Sequence, residues 1–240
     1  MTRRGQTAIG LSLAAAIALA WAALHVWSVF FLPLRGRGVL AAPVLIALLC
    51  WLNVGLFIVA HDAMHGSLAP GRPAVNRWTG RAALALYAGF SFDRLLAKHH
   101  AHHRHSGTSA DPDYSSRHSR RFWPWYAAFF RQYFGLRELL VLTALVGAYV
   151  FVLRAAWANL LLFWALPAIL SSLQLFLFGT FLPHRDGDSP FADAHRARTS
   201  GYGRLASLLT CFHFGYHHEH HRAPHLPWWR LPAERFGRSA

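Results

Sequence analysis

Long apolar runs alternate with short polar, histidine-bearing segments along this chain. Residues 7–31 form a continuous apolar stretch behind Arg3 and Arg4, and its length without a small-residue cleavage site predicts an uncleaved span rather than a signal peptide. After a Pro/Gly/Arg turn at 33–38, residues 39–60 predict a second span of roughly 33 Å of helix, enough to cross a hydrocarbon core. Residues 138–153 and 157–182 predict a third and fourth span around a tight turn at Arg154. Three apolar stretches are too short or too mixed to cross. Residues 82–96 carry Gly89 and predict a re-entrant or interfacial segment, and 205–216 a stretch lying on or dipping into the membrane. Residues 122–134, dense in Trp and Phe around Arg131, suit the headgroup boundary. The expected fold is all-α and integral to the membrane. It has four transmembrane helices (about 7–31, 39–60, 138–153 and 157–182), short re-entrant or interfacial helices and a histidine-rich cap, as a single domain over 1–240.

Composition agrees: 54% of residues are hydrophobic and only 14% charged, which argues against an ordinary soluble domain. A net charge of +14 raises the question of nucleic acid, but the basic residues lie between the apolar runs and no nucleic-acid motif accompanies them. Of the 24 Lys and Arg, only Arg35, Arg37 and Arg154 fall in the two turns on one side. The positive-inside bias therefore predicts both termini, and every histidine cluster, in the cytoplasm. Cys50 and Cys211 have no CxxC partner and read as small buried hydrophobes.

The outlier is histidine, with 17 copies. His61 and His65 stand at i, i+4 where the second span leaves the bilayer, so their rings share a helix face. His99, His102 and His103 form HxxHH and again share a face, with His100 pointing away; His217, His220 and His221 repeat that pattern. His184 sits alone at the end of the fourth span, and lone histidines such as His25, His118 and His195 read as ordinary polar residues. Neutral imidazole is a common ligand for redox-active transition metals. Eight such rings on three helix faces, with His184 as a ninth, can hold two metals with positions left open. Carboxylate-rich sites use paired Glu-x-x-His motifs, which are absent here. Ligating histidines usually donate their second ring proton to a carboxylate or carbonyl, and Asp62, Asp93, Asp111, Asp113 and Glu219 lie beside the clusters as candidates. A turn role for Asp111 and Asp113, and pairing of Asp93 with Arg94 or Lys98, are the alternatives.

The order HxxxH, HxxHH, HxxHH between paired spans resembles the membrane fatty-acid desaturase and hydroxylase superfamily. Within it, HDAMHGSLAPGRP at 61–73, LYAGFSFDRLLAKHHAHHRHSGT at 86–108, DPDY at 111–114, FGTFLPHR at 178–185 and FHFGYHHEHHRAPHLPWWRLP at 212–232 are similar to the bacterial β-carotene ketolases. The resemblance implies a multi-pass protein of the bacterial inner membrane that oxidises the allylic 4-position of a β-ionone ring to a ketone. β-Carotene would give echinenone and canthaxanthin, and hydroxylated carotenoids would lead toward astaxanthin. It also implies iron as a pair of ions, dioxygen as co-substrate and electrons from ferredoxin or another reductase. An extra ligand before the last box falls on His184, with His213 as the alternative. The absence of a GxGxxG fingerprint fits an external donor. A polyene substrate would enter from the bilayer, with Tyr87, Phe90, Phe92 and the Trp123–Trp125 region as candidate tunnel walls or interface anchors. The rivals are a carotenoid ring hydroxylase or fatty-acyl desaturase of the same superfamily and, from another class, a divalent-metal transporter. Transport sites normally lie near the bilayer midplane, whereas these histidines lie at span ends.

Overall fold

The computed structural model describes residues 1–187 and 189–237 and contains no strand among them. In chain order the helices are α1 (Arg3–Phe31), α2 (Arg37–Met64), α3 (Pro73–Ala88), α4 (Phe92–His105), α5 (Phe122–Tyr133), α6 (Leu136–Val152), α7 (Trp157–His184), α8 (Arg204–Cys211), α9 (His217–Arg222) and α10 (Leu231–Phe236). Helices α1, α2 and α7 are each long and apolar enough to cross a bilayer. Helices α5 and α6 meet that standard only together, and they are bent by 81° at their junction. The described residues thus contain three candidate spans, or four if the bent pair is one. The stretch expected as an independent third span is the second limb of this bent unit.

Helix α2 is the central one: 61% of its most apolar window is buried, against 28% for α1 and 39% for α7. Leu49, Val54, Leu56 and Ile58 fill the core around it. Large apolar side chains elsewhere face outward, among them Leu19, Phe31, Leu40, Phe151, Leu161 and Ile169. In a chain whose backbone bonds close within helices, such a surface suits lipid.

Polar side chains fix the two ends. At one end Gln6 Nε2 donates to the Ser67 carbonyl (2.7 Å), tying the start of α1 beside the end of α2. At the other, Asn159 Nδ2 donates to the carbonyls of Ser28 (2.8 Å) and Leu32 (2.9 Å), joining the start of α7 to the end of α1. The turns carrying Arg35 and Arg154 therefore share one end, and the histidine clusters the other. Residues 82–96 are not one segment. Gly89, at φ +69°, ends α3 in a left-handed cap, and Ser91 caps the start of α4. The reason is conformational: glycine tolerates positive φ, so the apolar pattern runs across a break it does not register.

Candidate metal centre

Three helix ends and one short helix converge on a single region. The last turn of α2 supplies His61, with His65 just beyond it; α4 supplies His99, His102 and His103; the last turn of α7 supplies His184; and α9 supplies His217, His220 and His221. Between α8 and α9 the chain reverses sharply through Phe212 and His213, at φ 49° and 63°. The reversal is held by the His213 amide donating to the Ser207 carbonyl at 2.9 Å.

The nine rings fall into two groups. His61, His65, His99, His103 and His220 form one, and His102, His184, His217 and His221 the other; within each, the candidate ligand atoms all lie within 4.8 Å of one another. In the first group, Nε2 of His65 and His99 are 2.6 Å apart, and those of His103 and His220 are 3.1 Å apart. In the second, Nε2 of His221 lies 3.2 Å from that of His102 and 3.1 Å from that of His217. Imidazole-to-metal bonds of about 2.0–2.1 Å place ligands at right angles about 3 Å apart, so these separations match edges of a coordination shell. Two further atoms point the same way. Nε2 of His61 and of His184 are buried with no hydrogen-bond partner, a costly arrangement that a metal ion relieves. The donor set therefore fits two metal ions.

Electrostatics favour neutral ligands. Burial, and after it the neighbouring imidazoles, hold His99, His217, His220 and His221 well below the ordinary histidine value. Burial, with His100 and His102 beside it, pushes His65 down to about 3. His102 goes the other way. Burial works against its charged form, but Asp113 and the hydrogen bond to Asp111 outweigh it and hold the ring above its usual value.

The five carboxylates have different fates. Asp111 accepts from His102 Nδ1 at 3.0 Å while also taking the amides of Gly107 and Asp113, each at 2.8 Å. It therefore serves both the turn and the imidazole. Asp113 sits 3.8 Å from His102 Nδ1 and accepts from the Tyr133 hydroxyl. The ligand atoms of His102, Asp111 and Asp113 also lie within 4.8 Å of one another. Asp62 lies 3.7 Å from His61 Nδ1, but its hydrogen bond is from the Trp228 amide at 3.1 Å. Two expectations need correction. Asp93 pairs with Arg81 (2.6 Å) and Arg77 on an exposed face, because α3 lays those arginines against it. Glu219 faces away from the rings, bonded by Thr199 and 3.6 Å from Arg235. The partner that sequence reasoning missed is a main-chain one: His184 Nδ1 donates to the Arg196 carbonyl at 2.8 Å, with Ser106 Oγ at 3.3 Å. His213 stacks on Tyr216 and belongs to neither group.

A cavity of about 360 Å3 opens beside both groups, touching His61 and His99 of the first and His102 and His217 of the second. Its walls are mostly apolar and rich in aromatic rings: Phe57, Tyr87, Phe90, Tyr126, Phe129, Phe130, Tyr133, Phe134 and Phe214. Tyr87 and Phe90 stand where the sequence placed them. The others do not line the cavity: Phe92 packs into the main core, Trp125 is fully buried against Phe176 and Phe181, and Trp123 is exposed, as the interface-anchor alternative allows. Instead α5 supplies Tyr126, Phe129, Phe130 and Tyr133, an i, i+3, i+4, i+7 face that helical periodicity could have revealed.

Comparison with known proteins agrees with this architecture. The fatty acid desaturase family model matches residues 37–139 and 131–235. The chain is 52% identical over 232 residues to the beta-carotene ketolase of Paracoccus sp. (strain PC1), covering 96% of this chain and 94% of that protein. It is 42% identical to the beta-carotene 4-ketolase 3 of Haematococcus lacustris over 76% of this chain and 58% of that one. With the zeaxanthin 4-ketolase of Chlamydomonas reinhardtii the identity is 37%, over 93% of this chain and 52% of the longer algal protein. The chain belongs to the fatty acid desaturase family and, within it, to the beta-carotene ketolases.

Proposed function

We propose that this protein is a membrane-bound carotenoid ketolase that converts the 4-methylene of a β-ionone ring to a ketone, using two iron ions held by His61, His65, His99, His103 and His220 and by His102, His184, His217 and His221. The observation that carries the reading is the convergence of nine imidazoles from distant helices beside an aromatic cavity, in a chain with ketolase relatives. Bound iron would supply the dioxygen activation that breaking the ring C–H bond requires.

The chain's own residues do the rest. Asp111 fixes the ring orientation of His102, and the Arg196 carbonyl fixes that of His184, leaving Nε2 of each for the metal. The aromatic wall binds a flat, conjugated hydrocarbon by contact and excludes water from the oxidising site. Such a substrate enters from the bilayer. Each round takes one ring CH, one dioxygen, two electrons and two protons to one C–OH and one water. A second round at the same carbon gives a geminal diol, which loses water to form the ketone. The electrons come from a separate donor protein of the ferredoxin or reductase class. The membrane is the bacterial inner membrane, crossed four times with the bent α5–α6 unit as one crossing. The histidine cap faces the cytoplasm, because only Arg35, Arg37 and Arg154 among the 24 basic residues lie at the other end.

Expression in a β-carotene-producing host with chromatographic identification of pigments tests this reading. Echinenone and canthaxanthin are expected, absorbing to the red of the parent. Hydroxylated rings alone would indicate a ring hydroxylase, and unchanged carotenoid would remove the assignment.

A further inference from the structure

A ketone at a ring carbon needs two oxygen insertions at one place, so the alcohol from the first must stay and present its remaining C–H bond. The cavity contains a polar feature suited to this. Several of its hydroxyls are already paired: Tyr126 and Ser172 lie 2.5 Å apart, and Tyr87 accepts from Ser171, outside the lining, at 3.4 Å. Asp113 is different. Tyr133 donates to Oδ1, but Oδ2 has no donor within hydrogen-bond reach among the described residues; its nearest ionic neighbour, His102 Nδ1, is 3.8 Å away and is committed to Asp111. The Asp113 side chain keeps 13% of its surface, in contrast to 0% for Asp111, and it lines the cavity together with His102 and Tyr133. This accessible acceptor inside an aromatic enclosure is free to take a hydrogen bond from a bound ligand.

β-Carotene carries no donor. Its first oxidation product does, on the carbon that reacts again, beside the histidines. We infer that Asp113, steadied by Tyr133, is a positioning residue that accepts a hydrogen bond from the ring hydroxyl of the half-oxidised carotenoid and so commits it to the second round. The same acceptor would favour rings that arrive already hydroxylated next to the reacting carbon. No bond is made or broken by Asp113 itself. The dioxygen and electrons of the second round are those of the proposed reaction, on which this inference rests.

Two measurements test it. The first is the ratio of 4-hydroxy to 4-keto carotenoid produced in cells by the wild type, Asp113→Asn and Asp113→Ala. The share of released alcohol is expected to rise about tenfold in Asp113→Ala and less in Asp113→Asn, whose amide oxygen still accepts a hydrogen bond. A ratio unchanged in both variants overturns the inference even if total turnover falls. The second is equilibrium binding of β-carotene and of 4-hydroxy-β-carotene to detergent-purified, iron-loaded protein kept free of dioxygen, followed by visible absorbance. Wild type is expected to bind the alcohol about tenfold more tightly, and Asp113→Ala to lose that preference. Equal affinity of wild type for both ligands overturns the inference while leaving ketolase activity intact. A wild type that prefers the alcohol yet makes no ketone would instead refute the proposed function.

Discussion

His103 and His221 stack face to face, with ring centroids 4.2 Å apart and planes within 17°. The first belongs to the five-histidine group and the second to the four-histidine group, so this one contact joins the two candidate metal positions. Two ions bound by these groups would therefore be neighbours rather than occupants of independent sites.

The partition of ligands makes metal content separable. His65→Ala and His99→Ala are expected to lower bound iron from about two ions per chain to about one, and His184→Ala and His217→Ala to remove the other. Metal analysis of purified variants measures this. A variant of either group that keeps both ions would show that its ring is not a ligand.

The hydrogen bond from His102 to Asp111 would let this carboxylate act on a bound metal through the imidazole. Asp111→Asn is expected to weaken metal binding about 10- to 100-fold in chelator competition. Asp93→Asn serves as the contrast: its carboxylate pairs with Arg81 away from the rings, so affinity should stay within about twofold. Equal effects of the two substitutions would remove the role given to Asp111.

Much of this site was legible in the sequence, because i, i+3 and i+4 spacing reports a shared helix face without any knowledge of tertiary structure. All nine predicted rings fall within the two groups. What stayed hidden depended on relations between elements. The partner of His184 is the Arg196 carbonyl, and a main-chain oxygen carries no residue signature. Asp93 stands close to a histidine box in sequence, yet α3 turns back at Gly89 and delivers Arg81 to it. The α5 wall was hidden for another reason: aromatic density suggested the bilayer boundary and masked the periodic face that lines the cavity.

Gly179 is tied to the histidines by packing. A methyl group there would overlap the ring of Phe214, which lies 4.8 Å from His61 and 4.8 Å from His217 between centroids. Gly179→Ala is expected to destabilise the fold by about 1–3 kcal/mol and to reduce ketone formation. Gly147→Ala, with nothing within 4 Å of the added carbon, should be neutral or slightly stabilising. Unfolding in detergent measures both, and equal stability of the two variants would contradict the packing argument.

Acid should weaken the metal-free protein. Unfolded histidine titrates near about 6.5. Folded His65 is pushed down to about 3, and His99, His217, His220 and His221 also lie well below the ordinary value. Below about 6.5 the unfolded chain therefore binds more protons, so stability is full above that pH and falls as pH drops toward about 3. His102, whose value is raised, opposes this: its contribution is present below about 6.5 and is lost as pH rises through its folded value. With His103 and His213 also lowered, the lowered histidines far outnumber the raised His102. The melting temperature of metal-free protein should fall between about pH 7.5 and 5, and a flat or rising profile would contradict the electrostatic picture.

Anomalous scattering at the iron edge from crystals of the metal-loaded protein tests the central claim most directly. Two peaks are expected, one enclosed by His61, His65, His99, His103 and His220, the other by His102, His184, His217 and His221. A single peak, or one lying between His102, Asp111 and Asp113, would contradict it.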